Sequence, residues 1–523
     1  MRTIHSMKNI SISIFCQIII IILGFISRKV FLDGLGVDYL GINGLLTNVL
    51  SILALAESGI GISIVYNLYK PLAEDNREKV IALIQLYKKA YGVLALIVLF
   101  ISAGIYPFLG ILMKHSESIS YMPIIYSIFI AKNMISYLNA HKWSLINADQ
   151  KGYVLARVNL VFQILTTIAK IIILLETKNY IIYLAIELFL YAIQNGINGR
   201  IVNKRYSYIR TSEKYLIDKS TKENLVKNIK AMFLHNIGAF IVYGTDNLLI
   251  SSFFSVASVG LYSNYTMIMG QLSALLNPIL GGIGASVGNL IATENNEKNY
   301  SIFKVSYLVN FWIFSFCVIF LYNLLEPFIR WWLGNQYILN KLTFIFILIN
   351  FYLDGMRTSI ATFKNKAGLF VQDRYAPLFE GFINLVSSLV LIKFYGLAGI
   401  FMGTTLSTIS TVLWTQPFIV FRRIFKKSVW NYFLNYGIYA ALTVITCFIV
   451  TSICDALVTG HSFKSLIIRG IVCLFVPNLI YLVIFYRNKE FQYIKYVLLN
   501  NLMNQIKYRK LQKIKNIVGS GAK

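Results

Sequence analysis

The chain has 523 residues, of which 57% are hydrophobic and 14% charged, with a formal net charge of +27. So few charges cannot cover a soluble protein of this length, and apolar runs of roughly 18 to 25 residues, the span of a bilayer core, recur throughout it. The composition therefore points to an all-α polytopic membrane protein of about 14 transmembrane helices and excludes a soluble nucleic-acid binder.

In chain order, the first apolar run gives a span over about 10–28. It lacks a small-residue cleavage site and more spans follow directly, so it reads as a transmembrane segment rather than a signal peptide. The second, 40–66, contains "LALAESGIGIS" with the carboxylate Glu57 at its centre. Spans 90–112, 121–139, 153–175 and 180–200 complete a first set of six and carry Lys132, Lys170 and Glu187. The polar, basic stretch "GRIVNKRYSYIRTSEKYLIDKSTKENLVKNIK" (199–230) then interrupts the pattern. Six more spans follow at 231–254, 258–291, 305–325, 342–362, 377–395 and 396–420, carrying Asp246, Asp354 and Arg357. Spans 433–455 and 465–486 and a basic tail close the chain.

With the N-terminus inside, most of the 49 Lys and Arg residues fall in the N-terminal segment, the tail and alternate loops. This alternation is the positive-inside pattern, and it puts both termini in the cytoplasm. At a fixed offset of 219 residues, "KNI" at Lys8–Ile10 coincides with "KNI" at Lys227–Ile229, and Val37, Gly41 and Thr47 coincide with Val256, Gly260 and Thr266. The expected organisation is an N-lobe (1–200, spans 1–6), a basic linker (201–228) and a C-lobe (229–432, spans 7–12). Two extra helices (433–486) and a basic cytoplasmic tail (487–523) follow, the lobes being parallel repeats about an axis along the membrane normal. The tail, with Lys507, Arg509, Lys510, Lys513 and Lys515, suits anionic lipid headgroups.

The loops argue against an enzyme. Outside loops are short, inside loops are too small for a nucleotide-binding domain, and no G-x-x-x-x-G-K-[ST] phosphate loop occurs. "GGIGASVG" (Gly281–Gly288) has the wrong spacing for a dinucleotide loop and reads as close helix packing. The five cysteines and five histidines show no ligand spacing, so no metal site is expected.

Ionisable groups inside spans cost at least a few kcal/mol each and tend to face a partner or a cavity. Arg28, Lys132, Lys170 and Arg357 are the candidates for binding an anionic cargo; Glu57, Asp246 and Asp354 are the candidates for coupling or gating. Glu57 is either a structural acid or a site for a proton, a cation or a cationic side chain. By the repeat, Asp246 occupies the place of Ser27, so an Arg28–Asp246 contact near the outer face is a candidate gate. Asp354 and Arg357, three apart on a helix, either neutralise each other or leave Arg357 to meet a phosphate. Lys170 has Glu176 near its outer end, and snorkelling is an alternative for it; Glu187 has no assigned place.

"SRKVFLDGLGVDYLGINGLLTNVLSILALAESGIG" (27–61), "NLYKPLAEDN" (67–76), "GTDNLLISSFFSVASVGLYSNY" (244–265), "GASVGNLIATE" (284–294) and "NKAGLFVQDRYAPLFEGFINLVSSLVLIKFYGLAGIFMGTTLS" (365–407) together resemble bacterial polysaccharide repeat-unit (Wzx-type, O-antigen or capsule) flippases. These belong to the multidrug/oligosaccharidyl-lipid/polysaccharide exporter superfamily. The resemblance implies export of an undecaprenyl-diphosphate-linked oligosaccharide from inner to outer leaflet of the bacterial cytoplasmic membrane. It also implies alternating access coupled to an H+ or Na+ gradient, no other cofactor, and membrane lipids, a polysaccharide polymerase and glycosyltransferases as partners. By position Arg28, Glu57 and Asp246 match charged family positions, and Asp373 with Arg374 matches a cytoplasmic motif; Lys132 and Lys170 have no such match. A drug/cation antiporter and a lipid II flippase of the same superfamily are the alternatives.

Overall fold

Asn76, Asn179, Asn295 and Ser462 each precede an apolar run, and each side chain accepts a backbone N–H of the helix that follows. These helices start where a short polar side chain satisfies the first turn. The computed structural model describes residues 2–112, 121–149, 151–218, 222–223, 225–226, 236–238, 240–242, 244–369, 372–458, 460 and 462–496. Among them the regular structure is helical, with no strand.

Helices α1 (Arg2–Leu35) and α2 (Val37–Ala73) turn about Gly36, whose φ of 84° suits a residue without a Cβ. There follow α3 (Arg77–Ile105), α4 (Met122–Leu138), α5 (Ala140–Ala148), α6 (Tyr153–Thr177) and α7 (Tyr180–Arg205). Next come α8 (Asp246–Phe253), α9 (Val256–Thr293), α10 (Asn296–Trp332) and α11 (Lys341–Lys366). The last are α12 (Ala376–Tyr395), α13 (Leu397–Ser410), α14 (Val412–Val420), α15 (Trp430–Leu457) and α16 (Phe463–Phe485). Among the described residues, nine helical stretches are long and apolar enough to cross a bilayer, and Met122–Leu138 is a shorter apolar one. The chain is a multi-pass membrane protein.

Two departures from the expected spans have local causes. The third span passes into a 3-10 turn at Tyr106–Phe108, where Pro107 sits at the turn's start, and continues to Leu112. The twelfth is split at Thr411 into α13 and α14. There Thr405, Ser410 and Thr411 bond back to carbonyls one turn earlier, and Pro417 withholds an N–H, both of which bend helices.

The chain forms two compact units. The first holds Met1–Pro278, Gln336–Thr343 and Arg374–Val412; the second holds Ile279–Asn335, Phe344–Asp373 and Leu413–Lys523. In the second, Phe303, Tyr307 and Phe311 repeat every four residues and present one face of α10 to Phe363, Phe421, Phe425, Tyr432 and Tyr439. Beside these rings Thr443 donates to Ser315 at 2.8 Å, and Ser315 is bonded to the Tyr481 hydroxyl.

In the first unit, α1 packs on α6, α6 on α7, α7 on α4 and α4 on α3. The outer ends of α2 and α9 meet without room for a side chain. A Cβ on Gly41 would lie 1.9 Å from the Val256 carbonyl oxygen, and one on Gly260 would lie 2.3 Å from that of Val37. Gly41 with Val37 and Gly260 with Val256 are related by the 219-residue offset, so the contact is reciprocal, as a local two-fold axis requires. We expect Gly41→Ala and Gly260→Ala each to destabilise the protein by about 1–3 kcal/mol through overpacking. Thermal unfolding in detergent reads this, with Gly92→Ala as control, because open space surrounds that position.

Candidate functional site

Glu187 joins two of the intramembrane cations seen in the sequence. Its Oε1 accepts the Lys132 ammonium and its Oε2 accepts the Lys170 ammonium at 2.5 Å. The three side chains come from α4, α6 and α7, which pack as neighbours in the first unit. Aromatic rings complete the setting: the Lys170 Nζ lies 4.3 Å from the centroid of Tyr183, and the Lys132 Nζ lies 5.8 Å from that of Tyr191. Both distances suit cation–π attraction.

Arg28 reaches the same cluster through α1. Phe31, one turn beyond it, meets Tyr183 edge-on at 5.2 Å, and Tyr183 lies within electrostatic reach of both Arg28 and Lys170. The half-buried Arg28 guanidinium also donates to Ser263 Oγ on α9 at 2.9 Å. Arg28, Lys170 and Glu187 each lie seven residues from the outer end of their helix, and Lys132 ten, which is roughly 10–15 Å of helix. The four groups thus share one depth within the membrane. Lys132 and Lys170 share the one carboxylate of Glu187, and with Arg28 near Tyr183 the group carries two more positive charges than negative.

Below this level α7 presents polar groups toward its cytoplasmic end. Asn195 accepts from Asn139, and Asn159 of α6 accepts from Gln194 at 2.8 Å and Asn198 at 2.7 Å. With Tyr183, Glu187 and Tyr191 these recur every three or four residues and so lie along one face of the helix.

No protein-family model and no curated protein matches this chain. Solved structures do. A lipid II flippase, MurJ, in an inward closed conformation aligns with a TM-score of 0.63 at 15% identity, over 90% of this chain and 98% of that one. A variant of the Vibrio cholerae MATE transporter VcmN aligns with a TM-score of 0.56 at 13% identity, over 82% of this chain and all of that one. A transporter of the same superfamily from Pyrococcus furiosus aligns with a TM-score of 0.53 at 12% identity, over 80% and 95%. The chain has the fold of that exporter superfamily.

The other sequence candidates lie elsewhere in this fold. Asp246 opens α8 and is buried, with its Oδ1 lacking a hydrogen-bond partner; the hydrogen bond described for Arg28 goes to Ser263 instead. In the second unit Arg357 Nη2 lies 3.3 Å from Asp354 Oδ1, one turn away. Glu57 stands within α2, and its side chain lies outside the described residues. Asp373 forms a buried ion pair with Lys364. A further polar cluster, in the first unit, was not singled out by sequence. In it Asn384 donates to Thr404 at 2.9 Å, Thr408 donates to the buried Glu380 at 3.4 Å, and Asn384 Oδ1 has no partner. Only its i, i+4 spacing, Glu380 with Asn384 and Thr404 with Thr408, signalled it in advance.

Removing the acid from the lysine pair leaves two uncompensated charges within the membrane. We expect Glu187→Gln to lower the unfolding temperature in detergent by about a few degrees, and Glu187→Gln combined with Lys132→Met to recover part of that loss. An unchanged transition in Glu187→Gln would contradict the pairing.

Proposed function

We propose that this protein is a flippase that moves undecaprenyl-diphosphate-linked oligosaccharide repeat units from the inner to the outer leaflet of the bacterial cytoplasmic membrane, for capsular or other surface polysaccharide. The observation that carries the reading is the pairing of Lys132 and Lys170 on the one carboxylate of Glu187, with Arg28 within electrostatic reach of the adjoining Tyr183. Its surplus of positive charge matches a diphosphate, and a guanidinium with two ammoniums supplies charge-assisted donors for one. The amides of Gln194, Asn195 and Asn198 suit sugar hydroxyls. A drug/cation antiporter would gain nothing from a positive surplus.

In this reading the two six-span lobes, 1–200 and 229–432, alternate in access, driven by an H+ or Na+ gradient. Asp246 and the Glu380–Asn384–Thr404–Thr408 cluster offer buried oxygens for the coupling ion, and Glu57 remains a candidate for the same role. A second reading, a flippase for lipid II, is supported by the likeness in fold to MurJ over 90% of the chain; its cargo would meet the same cations.

Purified protein in liposomes loaded on one leaflet with a polyprenyl-diphosphate oligosaccharide should expose the sugar to an impermeant lectin on the other side. Transport of lipid II alone would favour the second reading, and extrusion of organic cations with no lipid movement would overturn both. Arg28→Ala should slow lipid transfer by roughly tenfold or more, the worth of one charge-assisted hydrogen bond, while still reaching the membrane. Arg357→Ala is expected to act in the same direction. Wild-type rates in both variants would remove the arginines from the binding of the diphosphate.

A further inference from the structure

Several basic side chains on the cytoplasmic side of the first unit stand beside an acid. Lys79 pairs with Asp218 at 2.9 Å, Lys151 with Asp149 at 2.6 Å, Arg77 with Asp75 at 3.6 Å and Lys70 with Glu74 at 3.8 Å. Lys88, Lys142 and Arg210 differ: among the described residues none of them has an acidic partner. They come from α3, from α5 and from the 3-10 turn Ser207–Arg210 after α7, and both α5 and that turn pack against α3. Lys142 is half-buried, and the exposed Lys88 and Arg210, both positive, lie within electrostatic reach of it. Like charges drawn together by the packing of three separate elements repel one another, and an anion placed between them would relieve that repulsion.

A second observation points the same way. His141, beside Lys142 on α5, is buried, and its Nδ1 has no hydrogen-bond partner. Burial, with Lys142 and then Lys88, holds its imidazole down at about 4. The ring is therefore neutral at physiological pH and retains one N–H that can be directed at an acceptor. The surroundings are those of a membrane interface. α4, an apolar helix, ends at Leu138, which is exposed, and Leu86 is exposed on α3. Exposed apolar side chains thus lie two residues from Lys88 and four from Lys142 along the chain, where an acyl or isoprenoid chain could enter the bilayer.

We infer that Lys88, Lys142, Arg210 and His141 form a binding site for the phosphoryl group of a lipid in the cytoplasmic leaflet. Two lipids carry that chemistry, an anionic phospholipid of the bulk membrane and a polyprenyl diphosphate. The site holds either whether or not the transport reading above is right. Placed at the cytoplasmic ends of α4 and α7, it would hold a phosphorylated headgroup beside the start of the α7 polar face.

The test is native mass spectrometry of the full-length protein in detergent, titrated separately with phosphatidylglycerol, with phosphatidylcholine and with a polyprenyl diphosphate. Saturable binding of at least one of the two anionic lipids is expected, with phosphatidylcholine bound more weakly. Each of Lys88→Gln, Lys142→Gln and Arg210→Gln should weaken it by about fivefold, the worth of one basic residue near an anionic surface. Lys142→Arg should retain it, and Lys89→Gln, on the neighbouring exposed position, should leave it unchanged. Preference for phosphatidylglycerol assigns the site to bulk lipid, and preference for the diphosphate assigns it to cargo capture. Equal binding by wild type and by a folded triple-glutamine variant, or a loss for Lys89→Gln as large as for Lys142→Gln, would overturn the proposal. So would equal binding of phosphatidylcholine.

Discussion

Two helices that begin at the outer face can meet backbone to backbone only where both lack a side chain, and Gly41 and Gly260 provide that place twice. Each glycine receives the carbonyl of the valine that opens the other helix. The reciprocity means that a single crossing determines both chain entries at once, since moving α2 relative to α9 strains both contacts together. Ser263 lies one turn below Gly260, and Arg28 lies on α1 about two turns before Gly36. The Arg28–Ser263 bond is thus held by the same crossing, and through Phe31 and Tyr183 it locates α1 beside the lysines.

Placing cations in a membrane is unfavourable, and the protein keeps them by dividing one carboxylate. Both oxygens of Glu187 are engaged, one by each lysine, so neither ammonium lacks an anion although the group as a whole stays positive. The Lys132 side chain is 42% exposed, against 17% for Lys170. The less buried lysine is therefore the one better able to turn toward a second anion, while Lys170 is confined by Tyr183 and Glu187. Tyr183 itself is bounded by Phe31 on one side and by Tyr180 on the other.

Much of this was legible in the sequence because it rests on one-dimensional signals. Span lengths, the alternation of basic loops and the 219-residue offset need no tertiary knowledge, and the coincidences Val37/Val256 and Gly41/Gly260 fall on the residues that make the crossing. The ion pairs were not legible. Glu187 lies 17 residues from Lys170 and 55 from Lys132, on different helices, and which helices neighbour each other depends on packing that no periodicity reports. Glu176 is nearer to Lys170 in sequence, but Glu187 is the acid that folds against it. The Arg28–Asp246 contact illustrates a finer limit. The offset made Ser27 and Asp246 equivalent positions, but the bond described for Arg28 goes to Ser263, and each residue along a helix turns the side chain by about 100°. A gate inferred from aligned positions alone does not fix which of several neighbours an arginine will find.

The arrangement of charges bears on the direction of a transport cycle. A carrier that returned empty with bare cations would bear the full cost of desolvated charge at every turn. Here Glu187 supplies an internal anion, so the unloaded site is partly neutralised before any cargo arrives. A bound diphosphate would meet the two charges that Glu187 leaves over, so the loaded site would carry little net charge through the low-dielectric core. In the proposed cycle, an acid in the middle of a cationic site would moderate the hold on an anionic lipid and so ease its release.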